Sequence, residues 1–177
     1  MTDHLRQALL ARTPVDDRER HSIAVTLAEL DRLADPYDEH ADPTHVTGSA
    51  VVVGQRGVIL LLHKRLGIWM QPGGHIEAGE SPAQAALRET VEEVGLPVVH
   101  PAEGPQLVHV DVHAANGHIH LDLRYLLHAP DADPAPGQGE SQQVRWFEWD
   151  EALSVADESL SGCLRALQHR RLLPPDR

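Results

Sequence analysis

Cysteine is almost missing from these 177 residues: Cys163 stands alone, which excludes an intrachain disulfide and any cysteine-rich zinc cage and points to a reducing compartment. Lysine is equally scarce, with Lys64 the single instance, and positive charge is outnumbered, 15 Lys+Arg against 27 Asp+Glu for a net charge of −12. Such a field repels a phosphate backbone, and 3% aromatic residues offer few platforms for stacking bases, so nucleic acid is not the expected partner. Long hydrophobic runs are absent too. The run Val58-Ile59-Leu60-Leu61-Leu62 falls far short of the ~20 residues of a membrane span, and Met1-Thr2-Asp3-His4 does not open a signal peptide. The expectation is a cytoplasmic protein with no membrane partner.

What is present is an ordinary globular balance, 41% hydrophobic and 24% charged, in a chain of a length suited to one core plus an appendage. Residues 1–44 read as helical and then irregular. Thr13 is placed to cap a helix with Pro14 in its first position and Asp16 at the capping-box site, and Ile23, Leu27, Leu30 and Leu33 follow at helical spacing. This apolar stripe suits either a homodimer interface or a cover for a sheet edge. The period then changes. Residues 45–53 are apolar and β-branched, Gln55-Arg56-Gly57 makes a turn, and 58–63 form a partner strand. Ser81, Pro82 and Gln84 are an N-cap, a first-turn proline and a capping-box partner for a helix from 82 to 94, with Gly95 as its stop.

Downstream, residues 106–113 and 118–127 alternate polar and apolar and are joined through Asn116-Gly117, a strong hairpin signal. A surface loop at 129–139, a strand at 144–149 and a mostly helical stretch at 153–173 complete the order. Strands and helices in this sequence predict an α/β or α+β fold, with a mixed sheet carrying helices on its faces.

On the 82–94 helix, Glu89, Glu92 and Glu93 fall within about 100° of one another, while Leu87, Val91 and Val94 take the opposite side. Three carboxylates on one face repel, and acids in a final turn also oppose the helix dipole. Arg88 cannot neutralise all three. A hard divalent cation, which prefers oxygen ligands, would.

These glutamates belong to a longer pattern, Gly74-x5-Glu80-x7-Arg88-Glu89-x-x-Glu92-Glu93-x-Gly95, closed by Leu96 and preceded by Gln71-Pro72-Gly73. This pattern resembles the Nudix box over residues 74–96, and Thr90 alone departs from it, where the family usually has an aliphatic residue. The resemblance extends over about 45–173 and implies a Nudix-type α/β/α sandwich spanning 45–177, with 1–44 as an N-terminal helical extension. It further implies an Mg²⁺- or Mn²⁺-dependent pyrophosphohydrolase acting on a nucleoside diphosphate linked to another moiety. By position in the family's motif, Glu92 and Glu93 are implied metal ligands, the Gly73 carbonyl a further one, and Glu89 a ligand or water-activating base. Arg88 and Glu80 are implied to pair and orient the loop, with Gly74 and Gly95 allowing close approach and sharp turning. A further acid from outside the box is expected from Glu140, with Glu148 as the lesser candidate.

A two-residue turn at Asn116-Gly117 sets His113 against His120, Asp111 against Asp122 and His109 against Arg124, all on one face. Val108, Val110, Val112, Ile119, Leu121 and Leu123 take the other face as core. The polar face reads as a surface for substrate or for a second metal, or as an ordinary wetted sheet face, and its opposed aspartates require a nearby cation. Lys64, Arg65 and His75 are candidate phosphate contacts. Trp69 is placed to stack on a base or, more simply, to pack on the sheet.

Three alternatives compete. An isopentenyl diphosphate isomerase-like enzyme would carry its essential cysteine in the sheet core, whereas Cys163 sits among Leu160, Leu164 and Leu167. A catalytically silent nucleotide sensor has no need of all three box glutamates. RNA decapping conflicts with the acidic charge.

Overall fold

One long strand, β1 (Thr44–Gly54), organises the molecule. It is buried on both sides of the pleat from His45 to Val52, with Val46, Ala50 and Val52 on one face and His45, Thr47 and Ser49 leading the other. The computed structural model describes residues 2–172; Leu173 and the rest of the expected last helix and domain end lie outside the described residues.

Two helices, α1 (Thr2–Ala11) and α2 (Asp17–Arg32), precede β1. After it come β2 (Gly57–Leu62), β3 (Trp69–Met70), β4 (Gly73–His75), α3 (Pro82–Val94), β5 (Leu107–Ala115), β6 (His118–His128), β7 (Val144–Phe147), α4 (Trp149–Val155) and α5 (Glu158–Leu172). β1 runs parallel to β6 from the pair Thr44/Ile119 to Val53/His128. Its other edge is shared by two antiparallel partners, β4 and β2. With β3 and β7 on β2 and β5 on β6, this makes a mixed seven-stranded sheet.

Each sheet face has its own core. Val46, Ala50, Val52, Leu121, Leu123 and Leu127 pack beneath α1, α2 and α3, and Val51, Val58, Leu60 and Phe147 pack beneath α4 and α5. The fold is the expected α+β sandwich. Leu5, Leu9, Ile23, Leu30 and Leu33 share the first core with the strands.

The sheet edge explains the N-terminal helices. Among the described residues β5 has no strand on its outer side; Arg12 donates to the carbonyls of Leu107 and Val108, the Glu19 carboxylate accepts from the N–H of Val110, and the Ser22 hydroxyl from that of Val112. Side chains therefore satisfy the ladder positions that would otherwise invite another chain. Asp16, and not Thr13, is the N-cap of α2, because its carboxylate accepts from Glu19 N–H at 2.8 Å while the Glu19 side chain turns back to Val15 N–H.

Three apolar expectations shift. Val108 packs in the second core, opposite to Val110, because the pairing slips between Leu107 and His109 and an irregularity of one residue exchanges faces. Ile119, beside the hairpin turn, is exposed. On α3 the buried row is Ala83, Ala86, Thr90 and Val94, leaving Val91 43% exposed, since small residues let the helix lie close against β1. The Thr90 hydroxyl donates to the Ala86 carbonyl, so its burial leaves no polar atom unpaired. Trp149 opens α4 instead of ending β7, and the loop after β6 is anchored by the Trp146 indole N–H on the Ala132 carbonyl.

Candidate functional site

The capping box at Ser81 and Gln84 and the left-handed Gly95 (φ 69°) fix both ends of α3, and so the direction in which its last turn projects. That turn carries the glutamates. Glu93 is partly buried and accepts from the Gly73 N–H at 2.9 Å, tying α3 to the start of β4. Burial first, and then the charges of Glu89, Glu140 and Glu92, push its carboxyl up to about 7, against the pull of the Gly73 hydrogen bond. Burial likewise raises Glu89 above the usual carboxylate range, although Arg88 works against it. Glu92 is more exposed and lies 3.5 Å from Arg88.

Arg88 is the organising cation of this edge. Its guanidinium grips Glu80 with two bonds of 2.9 and 3.0 Å, donates to the His75 carbonyl, and reaches Glu89 at 2.8 Å. Gly74 leaves room here for the Glu89 carboxylate, which a side chain at this position would have to displace. A Cβ at that position would stand 2.5 Å from the Glu89 carboxylate. Glu140, held in its loop by its N–H on the Gly137 carbonyl, acts on Glu93 electrostatically, whereas Glu148 is exposed at the start of α4.

Glu93, Gly73, Gly74 and His75 line a cavity of about 480 Å³ together with the hairpin residues Asp111, His113, His120, Asp122 and Arg124. Helix and hairpin, separate in sequence, thus face one space. The hairpin registers as expected, His113 with His120, Asp111 with Asp122 and His109 with Arg124, through a turn with positive φ at Asn116 and Gly117.

The polar face is not a wetted one. Asp111 and Asp122 are 2% and 3% exposed, and Arg124 is as deeply buried between them. Asp122 accepts from Arg124 Nε at 3.1 Å, Ser49 at 2.9 Å, Thr47 at 3.2 Å and Gln71 at 3.3 Å. Asp111 accepts from His113 Nδ1 at 3.0 Å and Arg18 Nε at 3.1 Å, with Arg124 at 3.5 Å. Burial alone would raise Asp111, but His113 and Arg124 carry it well below the usual carboxylate range. The same hydrogen bond holds His113 above its ordinary value in spite of burial. His109, fully buried beside Arg124, is pushed down to about 3.

Of the basic candidates, Arg65 lines the cavity, whereas Lys64 donates to the Gly139 carbonyl and is not part of the lining. His75 lines it too, with Nδ1 3.1 Å from Glu39. Trp69 packs edge-on against Phe147 with Arg145 over its ring, the packing role. Cys163 is buried in the second core away from the cavity, its thiol pushed up to about 12 by burial, and so cannot serve as the isomerase's cysteine.

Sequence reasoning missed Arg18, Thr47, Ser49 and His45. Arg18 reaches Asp111 across 93 positions, with no local signal of the contact. The three β1 residues were legible as a strand but only the parallel pairing with β6 shows which face they share with Asp122.

A mixed sheet thus lies between helices, with a glycine loop and a glutamate-bearing helix opening onto a hairpin-floored cavity. The NUDIX domain model matches residues 43–166. Among relatives, the asymmetrical bis(5'-nucleosyl)-tetraphosphatase of Caenorhabditis elegans is 30% identical over 101 residues, covering 54% of this chain and 70% of that protein. A NUDIX-family hydrolase from Clostridium perfringens superposes with a TM-score of 0.59 at 27% identity, over 70% of this chain and 97% of the other. The C. elegans Ap4A hydrolase superposes at 0.62 with 21% identity, over 71% and 96%, a likeness of fold. The chain belongs to the Nudix family, and it is a hydrolase of acid anhydrides in phosphorus-containing compounds.

Proposed function

We propose that the protein is a divalent-metal-dependent pyrophosphohydrolase of the cytoplasm that cleaves the diphosphate linkage of a small nucleoside diphosphate derivative, including dinucleoside polyphosphates of the kind named by its C. elegans relative. One observation carries the reading: Glu89, Glu140 and Glu92 all lie close enough to Glu93 to add to the rise that burial imposes on its carboxyl, with Arg88 as the cation hydrogen-bonded to Glu89 and 3.5 Å from Glu92. Crowded oxygen donors with too little positive charge fit Mg²⁺ or Mn²⁺. Glu92, Glu93 and the Gly73 carbonyl would hold the ion, with Glu89 or Glu140 beside it.

Bound there, a divalent ion neutralises charge on phosphoryl oxygens and lowers the pKa of water. The chain's own residues do the rest. Glu89, raised by burial, or Glu140 would accept a proton from attacking water, and Arg88 holds Glu89 against the Gly74 backbone. The Glu80–Arg88–His75 bonds keep loop and helix in register. Across the cavity, His113, His120, Arg18 and Arg65 can donate to phosphate or sugar oxygens, while Asp111 and Asp122 hold Arg124 and the histidine in place.

The intact glutamates favour catalysis over a silent sensor. The test is hydrolysis of nucleoside triphosphates, nucleotide sugars, ADP-ribose and dinucleoside polyphosphates with Mg²⁺ or Mn²⁺. Turnover lost in EDTA and restored by Mg²⁺, with ¹⁸O from water in a phosphoryl product, is expected. Binding without turnover across the screen would make the protein a sensor.

A further inference from the structure

Beside the glutamates lies a second group of donors of different chemistry. His45 on β1 is the register partner of His120 on parallel β6, and His75 on β4 pairs with Thr47, two residues along β1. Residues two apart share a face, so the pairing itself brings the three imidazoles together. One nitrogen from each lies within 4.8 Å of the others. Their ring centroids stand 5.0 to 5.4 Å apart.

Two of the rings are oriented as ligands. His75 Nδ1 faces Glu39 at 3.1 Å, which leaves Nε2 to point elsewhere, the arrangement by which a carboxylate fixes a metal-binding histidine. His45 Nδ1 faces the Asp42 carbonyl at 3.4 Å, while its Nε2 is buried with no hydrogen-bond partner. A fully buried, unpaired imidazole nitrogen aimed among other imidazoles needs an electrophile.

We propose that His45, His75 and His120 form a second metal site, selective for a transition-metal ion of the zinc class and distinct from the carboxylate site of α3. Nitrogen donors suit Zn²⁺, Co²⁺ or Ni²⁺, whereas the oxygen donors of the glutamates suit Mg²⁺. Zn–N bonds of about 2.0–2.1 Å place tetrahedral donors about 3.4 Å apart, so small ring rotations close the set. Glu39 is the supporting carboxylate. Because His75 and His120 line the cavity and His45 lies buried behind it, the fourth position faces the cavity, open to water or an anionic oxygen.

The experiment is calorimetric titration of Zn²⁺ into tag-free, EDTA-stripped full-length protein held in saturating Mg²⁺, with Co²⁺ absorption as a report on coordination. One Zn²⁺ equivalent and tetrahedral Co²⁺ bands are expected. Affinity should fall at least about 100-fold in His75→Ala and His120→Ala and roughly tenfold in Glu39→Gln, and stay unchanged in Glu93→Gln. Should a histidine variant unfold on melting, the Glu39→Gln step decides. Zn²⁺ displaced by Mg²⁺, lost in Glu93→Gln, or bound equally by parent and the histidine or Glu39 variants would overturn the site. Because Glu93→Gln spares it, its failure and that of the hydrolase reading are separable.

Discussion

Two sets of carboxylates, Asp111 with Asp122 on the hairpin and Glu93 with its neighbour Glu89 on α3, meet opposite fates. Asp111 and Asp122 are buried with Arg124 between them, and donors from Arg18, His113, Ser49, Thr47 and Gln71 complete their shells, so Asp111 lies below its ordinary pKa. Glu93 and Glu89 are less buried and lie above theirs, Glu89 sharing Arg88 with Glu80 and Glu92 while Glu93 accepts from the Gly73 N–H. A satisfied carboxylate is structural, and an unsatisfied one is a site waiting for charge. Removing a negative charge should therefore have opposite consequences for stability in the two places.

The largest effect belongs to the satisfied set. Asp122→Ala strands Arg124 in the interior and should cost about 3–5 kcal/mol, read from urea unfolding. A loss under about 1 kcal/mol would mean that Arg124 finds another partner and that the contrast is false. On the α3 edge, Glu93→Gln relieves repulsion, so the melting temperature should hold or rise while metal-supported hydrolysis falls roughly 100-fold, about 2.7 kcal/mol. Destabilisation of Glu93→Gln equal to that of Asp122→Ala would erase the distinction.

The two regions also differ in how legible they were. Local rules fixed the helix: Ser81, Pro82, Gln84 and Gly95 set its ends, and the spacing of Glu89, Glu92 and Glu93 set their face, so the glutamate edge could be read from residues 74–96 alone. The hairpin's register was readable from Asn116-Gly117. Its burial was not. That depends on Arg18 arriving from α2, on Thr47 and Ser49 across a parallel pairing, and on Gln71 from the loop before β4, contacts that no periodicity encodes. The same holds for Glu19, an apparently ordinary helical acid that is fully buried as the acceptor for the β5 edge. Val91 was misplaced because alternation of apolar and polar residues cannot tell a close-packed alanine stripe from an aliphatic one.

Acid should sharpen the comparison with a smaller effect. His109 and His120 are pushed down to about 3, by burial first and then by Arg124 for His109 and by neighbouring histidines for His120. Their folded values lie below the unfolded ones, so the unfolded chain binds more protons and stability is lost as pH falls from about 6.5 toward 3. His113, raised by Asp111, has the opposite sign and loses its contribution as pH rises through its folded value. Glu93 and Glu89, raised above their ordinary values by burial, also oppose the two low histidines, so the histidine contribution is read by difference: between about pH 7 and pH 4.5 His109→Phe should lose less stability than the parent. A His109→Phe protein whose melts follow the parent's pH dependence would show that His109 is not held neutral.

The smallest effect is expected at the rim, where Arg65 is exposed on the cavity wall with neither the buried partners of Arg124 nor the carboxylates of Arg88. In a chain of net charge −12 an anionic substrate meets repulsion on approach, and a solvated guanidinium beside the opening offsets part of it. Such a contact holds ground state and transition state alike, so Arg65→Ala should raise KM about 3–10-fold and leave kcat within about twofold. Salt screens an exposed charge, so the difference between variant and parent should shrink as ionic strength rises. Stability should change by less than about 0.5 kcal/mol. A fall in kcat matching the rise in KM would place Arg65 on the reacting phosphate, with the glutamates, and a variant identical to the parent at low salt would remove it from the substrate's path.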